Sequence, residues 1–540
     1  MSGMCRSATA CGADEGATMP ELKRTGPTLA VLLFALTISL TGCGEDASEP
    51  GELDAPASEA DPTPLETAHD HEQEGAPSVY GEVTFATSCA AEVQEDFERG
   101  VALLHSFYFP AARETFEGVA AADPDCAMAH WGLAMAARGN PFAGGIGDGA
   151  ARQGLEATER ALALDPPTER ERGYIEAVAH LYRDADQVEW RTRALQYEEA
   201  MDALRQTHPE DLEATIFYAR EVTANASPAD RTFERQLRAG EIMEPLFEAH
   251  PRHPGLAHYI IHAYDAPPIA ERGLPAAHAY AEIAPDAPHA LHMPSHIFTR
   301  MGYWEESIET NRRSADAAGP DSFDRLHAWD YMVYGHLQLG EFEAADSVAA
   351  EGRALAERAG MSTLPYNAQA MEARVLLERD RWEEAADLEI RAAPDSPVEA
   401  VVRFARGLGA VRSGHLDQAR EEADALARVR DALHEGGEAD WAERTEAQRL
   451  AVAAWILHAE GEIDEALRKA EEGAALEERV EKHPVTPGPL IPARELQGDL
   501  LLELGRSDEA LQAYERTLER EPNRARTEAA IRRAGGEVNR

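Results

Sequence analysis

The chain has 540 residues, with 99 Asp and Glu against 51 Lys and Arg and a formal net charge of −48. That balance excludes a nucleic-acid binder, which needs clustered cations for phosphate. Lysine occurs only at Lys23, Lys469 and Lys482, so no Gly-x-x-x-x-Gly-Lys phosphate loop exists past the first 30 residues.

In chain order, Lys23 and Arg24 precede an apolar run from Leu29 to Leu40 that is too short to span a bilayer, and Leu40-Thr41-Gly42-Cys43 follows. This stretch resembles a bacterial lipoprotein signal peptide over 19–42, with Met19 as the start and 1–18 as a mis-assigned extension; an ordinary secretory signal is the alternative. The resemblance implies a lipid on Cys43 and a membrane anchor through it. It also implies a place in the bacterial envelope, facing the periplasm, and Gly44 after the cysteine favours the outer membrane over the inner. Residues 43–84 are acidic, rich in Pro, Ala and Ser and without hydrophobic period, the composition of a disordered tether. His69-Asp70-His71-Glu72 within it reads as a solvated polar patch.

From 85 to 540 the chain is rich in Ala, Glu and Arg, a helix-forming composition, and it repeats. Gly498, Gly505, Ala510, Tyr514 and Pro522 mark the last unit. A turn residue followed five positions later by a small residue recurs at Gly302, Gly340, Asp380, Gly414 and Gly461. Near the start, Gly100, Ala112, Phe116 and Pro124 fit the same pattern. The units resemble tetratricopeptide repeats, which implies an all-α, right-handed superhelix of about eleven stacked helical hairpins with a C-terminal capping helix. The stretch 167–253 is helical by composition but fits the repeat poorly. Cys89 and Cys126 are placed to form a disulfide in an oxidising envelope, with two buried thiols as the alternative.

Six of the 20 histidines fall between 258 and 296. His258 and His262 are four apart, as are His292 and His296, so each pair shares a helix face. The two pairs are offset by one repeat, which sets them on neighbouring helices about 8–10 Å apart. In the repeat register the concave, ligand-facing stripe comprises His258, His262, Asp265, His289, His292, His296, Arg300, His327, Asp330 and Tyr334. An ion of Zn or Cu would find ligands in His258, His262, His292, His296 and Asp330.

The sequence has no His-Glu-x-x-His, no Gly-x-Ser-x-Gly and no Cys-x-x-Cys after the leader, and no reaction can be named from it. Gly144 to Gly149 lacks a lysine and reads as a flexible insertion between repeats. The resemblance implies a scaffold whose concave groove holds a protein or peptide partner, basic to suit the acidic surface. The alternative is a metal-binding protein, for metal handling or hydrolysis, using the histidines of the same groove. A third reading takes the acidity as adaptation to salt.

Overall fold

The computed structural model describes residues 79–227, 230–358, 364–480 and 482–538. The signal peptide, Cys43 and most of the acidic tether lie outside the described residues. Within them there is no β-strand, and no helix is long and apolar enough to cross a membrane. The helices pair as antiparallel hairpins, from Gln94–His105 with Phe109–Ala122 through to Ala493–Glu503 with Ser507–Leu518, and Ala525–Arg533 closes the stack. Successive hairpins stack side by side, each burying its apolar face on its neighbours.

The turn pattern has a backbone cause. Gly302, Gly340, Gly414, Gly461 and Gly505 all have φ between 68° and 86°, and Asp380 has φ 53°. Helices end readily in this left-handed region, which only glycine adopts without penalty and which Asp and Asn tolerate. In the poorly repeating stretch the left-handed residues are not glycines: Asp184 (φ 54°) lies between Glu169–Ala179 and Trp190–Thr207, and Phe233 (φ 53°) immediately precedes Glu234–Ala249. Two further hairpins form there, Glu169–Ala179 with Trp190–Thr207 and Leu212–Ala224 with Glu234–Ala249, although the glycine signal is missing. Close helix approach explains the small residues: a Cβ on Gly132 would lie 2.4 Å from the Phe116 ring, and one on Gly498 would lie 2.5 Å from Tyr514. The glycine-rich stretch falls inside a hairpin rather than between repeats: Gly144–Gly147 lies between Ala127–Arg138 and Asp148–Ala163, and Asp148 and Gly149 open the second helix.

A disulfide joins Cys89 to Cys126, with Cα atoms 4.8 Å apart. It ties the extended entry segment to the start of the Ala127–Arg138 helix.

The C-terminal hairpins fold back on the middle of the chain. Trp304 Nε1 donates to the Asn523 carbonyl (3.0 Å) and the Tyr334 hydroxyl to Glu521 (3.0 Å). Arg374 donates to the Pro489 carbonyl at 2.7 Å. At the centre of this closure the fully buried Arg524 pairs with Glu378 and with Glu495, each at 2.7 Å. Replacing Arg524 by Met should cost about 3–5 kcal/mol, because it strands the buried carboxylate of Glu378 and leaves Glu495 with Arg526 and Thr527 alone. The expected readout is a lower urea midpoint together with early proteolytic cleavage near 482–492; an unchanged midpoint would show that the closure contributes nothing.

Candidate functional site

Three proline-initiated helices set the histidines. Pro254–Tyr264 carries His258 and His262, Pro288–His292 carries His289 and His292, and Pro294–Met301 carries His296. Proline is tolerated at a helix start because its missing N–H would have no intrahelical partner there. Pro294 therefore divides what the sequence suggests is one helix into two. His327 comes from Phe323–Leu339. Gly255 admits the His105 ring against the first of these helices; a Cβ there would sit 2.4 Å from its Nδ1.

The imidazoles do not converge on one point as the repeat offset implies. They form two adjoining triads, His258 with His262 and His289, and His292 with His296 and His327, each with ligand atoms within 4.8 Å of one another. The rings of His262 and His296 are 6.0 Å apart, as are those of His289 and His292, so the triads touch along two edges. His289 completes the pair of the first triad and His327 that of the second.

Nor do the histidines face an open groove. His258, His292, His296 and His327 are buried, and His262 and His289 half-buried. Phe142 stacks on His262 (3.9 Å between rings) and Phe107 lies 4.3 Å from His258. Residues 482–489 cover the second triad. There Tyr331 donates to the Thr486 carbonyl (3.4 Å) and Asn367 to that of Val485 (2.9 Å). The chain's own segment thus occupies the stretch of groove that the sequence suggests is open to a peptide.

Nδ1 of three imidazoles is tied to a fixed acceptor. His296 Nδ1 donates to Asp265 Oδ2 (2.7 Å), His292 Nδ1 to Asn311 Oδ1 (2.6 Å) and His258 Nδ1 to the His105 carbonyl (2.5 Å). The Asn311 amide cannot be reversed, because its nitrogen donates to the Ser307 carbonyl at 2.7 Å. In the neutral rings Nε2 is then the lone-pair atom. His292 Nε2 lies 3.0 Å from His296 Nε2, and His289 Nε2 lies 3.2 Å from His258 Nε2. His262 Nε2 is buried with no hydrogen-bond partner among the described residues. Two lone pairs facing at 3.0 Å repel unless a cation is shared between them. Imidazole nitrogens about 2.0–2.1 Å from one Zn or Cu ion lie roughly 2.8–3.4 Å from each other at ordinary ligand angles.

Asp265 links the site to the C-terminal segment. Its carboxylate binds Lys482 (3.0 Å), Arg300 (2.9 Å) and His296. Burial alone would raise its pKa, but Lys482, Arg300 and His296 outweigh that and hold the carboxyl well below the usual range. Asp330 falls outside both triads; it accepts from Asn367 (3.1 Å) and lies 3.7 Å from Arg374, and burial pushes its pKa up to about 6. Tyr334 points away, into the closure with Glu521 and Arg524. The decisive residues that the sequence does not single out are Lys482, Asn311 and Tyr331. Of these only Lys482 carried a signal, as one of two lysines after the leader, in a break between helices.

A further buried group, His105 with Glu213 and His253, is complete without an ion. Each carboxylate oxygen of Glu213 accepts one imidazole nitrogen at 2.8 Å. Tyr259 bonds the other nitrogen of His105, and Leu256 N–H donates to that of His253.

No family model matches the sequence, and no curated protein does. Among solved structures, the chain is similar to the Cut9–Hcn1 hetero-tetramer of the APC/C (13% identity, 84% of this chain and 78% of that one, TM-score 0.34). It is similar also to yeast Tom70 (12%, 82% and 95%, TM-score 0.29) and to the P58(IPK) TPR domain (15%, 82% and 98%, TM-score 0.21).

Burial lowers the pKa of all six imidazoles, five of them well below the ordinary 6.5. They remain neutral in the folded chain at a pH where the unfolded chain protonates them. The unfolded state then binds more protons, so stability falls as pH drops through about 6.5 and is whole above it. The melting temperature of metal-free protein should decline between about pH 7 and pH 5, and the decline should be shallower in His292→Gln/His296→Gln.

Proposed function

We propose that this protein is a metal-binding protein that holds transition-metal ions in two adjoining tri-histidine centres inside a helical-repeat solenoid. The observation that carries the reading is the meeting of His292 Nε2 and His296 Nε2 at 3.0 Å, with both Nδ1 atoms committed to Asn311 and Asp265. Acceptors on Nδ1 fix ring orientation and raise the basicity of Nε2, as they do for histidines that ligate metals. All-imidazole sets suit Zn and Cu, and three protein ligands leave a coordination position for water or substrate.

The disulfide supports an oxidising compartment, which agrees with a lipid anchor on Cys43 in the bacterial envelope. A scaffold for a protein partner is the second reading. It draws on the extended surfaces that stacked hairpins present and on the −48 charge, which suits a basic partner. The covering of the histidines by residues 482–489 leaves them to the metal reading.

The test is metal analysis of the untagged chain after incubation with Cu or Zn and removal of excess. One ion per triad is expected, with His292→Gln/His296→Gln and His258→Gln/His262→Gln each losing one while keeping their helical circular dichroism. Folded protein without bound metal would leave the scaffold reading.

A further inference from the structure

Lys482 and Arg300 have a second face. Beyond their contact with Asp265 they line a pocket enclosing about 940 Å³, counted with the solvent at its mouth. The cavity within it measures about 90 Å³, several times the room one water needs.

Two features of the lining stand out. The chain as a whole has about two acids per basic residue, yet this lining holds Arg300, Arg444, Lys482, Arg494, Arg516 and Arg520 against Glu477, Glu478 and Glu521, with Asp265 pairing Lys482 and Arg300 and Glu471 pairing Arg494 from outside it. Burial pushes Glu477 up to about 7, which weakens even that opposition. One wall is aromatic: the Trp441 ring lies 4.8 Å from His483 at an interplanar angle of 26° and 5.4 Å from Tyr366, with the Arg444 guanidinium 5.2 Å above it. Val401, Pro489 and Leu490 continue the apolar surface. Burial holds the His483 ring neutral, its pKa down to about 3, so it adds flat surface and no charge.

We propose that this pocket binds a small organic anion with a flat apolar body, packed on Trp441 and Tyr366, its acid group met by Arg444 and Arg520. Guanidinium groups have five donors in a planar fork and can serve a carboxylate while keeping an existing partner. Aromatic faces select a flat body over a bare inorganic anion. The bound anion lies one residue, Lys482 or Arg300, from the carboxylate that orients His296, which places it beside the second triad. This inference stands apart from the metal reading, since the pocket is complete without an ion.

Calorimetric titration of the metal-free full chain with 2-naphthoate tests it, against 2-naphthylmethanol and inorganic phosphate. Naphthoate should bind, with the neutral alcohol weaker by about tenfold or more, as expected for loss of a charge-assisted bond. Arg444→Gln and Arg520→Gln should each weaken naphthoate by a similar factor, and Trp441→Leu should also weaken it, all with unchanged circular dichroism. His292→Gln/His296→Gln should bind it as the parent does, so loss of the metal and loss of the anion are read separately. No binding of naphthoate, equal binding of the alcohol or of phosphate, or indifference to the arginine substitutions would each overturn the proposal.

Discussion

The carboxylate of Asp265 is gripped at once by Lys482 from the C-terminal segment and by Arg300 and His296 from one helix, Pro294–Met301. A lone buried carboxylate would cost several kcal/mol, so Asp265 cannot be parted from both Lys482 and Arg300 without stranding a charge. That mutual dependence fastens the C-terminal hairpins over the middle repeats. The Arg524 network fastens them a second time, farther along. An open solenoid would bury each hairpin only on its sequence neighbours; here residues more than 200 positions apart share ion pairs and hydrogen bonds.

Closure changes what the histidines are. On an open concave face, imidazoles are solvated, titrate near pH 6.5 and bond to whatever passes. Enclosed by Phe107, Phe142 and residues 482–489, they are held neutral, with Nδ1 of His258, His292 and His296 spent on the protein. A set of six neutral ligands brings no charge of its own. Asp265 is already matched by Lys482 and Arg300, so an ion held there would need anions admitted from outside, and a cation-rich pocket adjoins on that side. The metal and anion readings are thus separate in their evidence and complementary in their electrostatics.

Much of this was legible in the residues. Turn glycines at positions where φ must be positive, small residues under Phe116 and Tyr514, and the repeat spacing specify stacked hairpins, because those constraints are local to one or two helices. The pairs His258/His262 and His292/His296 were visible for the same reason: four residues is one helical turn. The 167–253 hairpins escaped because Asp184 and Phe233 take the left-handed turn conformation without glycine's signature.

What the residues alone determined, then, is the hairpin, its stacking and the placing of histidines on one side of it, since each rests on contacts within a repeat or between neighbours. The division into two triads, the fixing of Nδ1 by Asn311 and Asp265, the covering segment and the pocket with Lys482 at its floor were decided by the tertiary structure. They depend on the superhelical twist summed over many repeats, which brings residue 482 back to residue 265; no short-range periodicity encodes a sum of that kind.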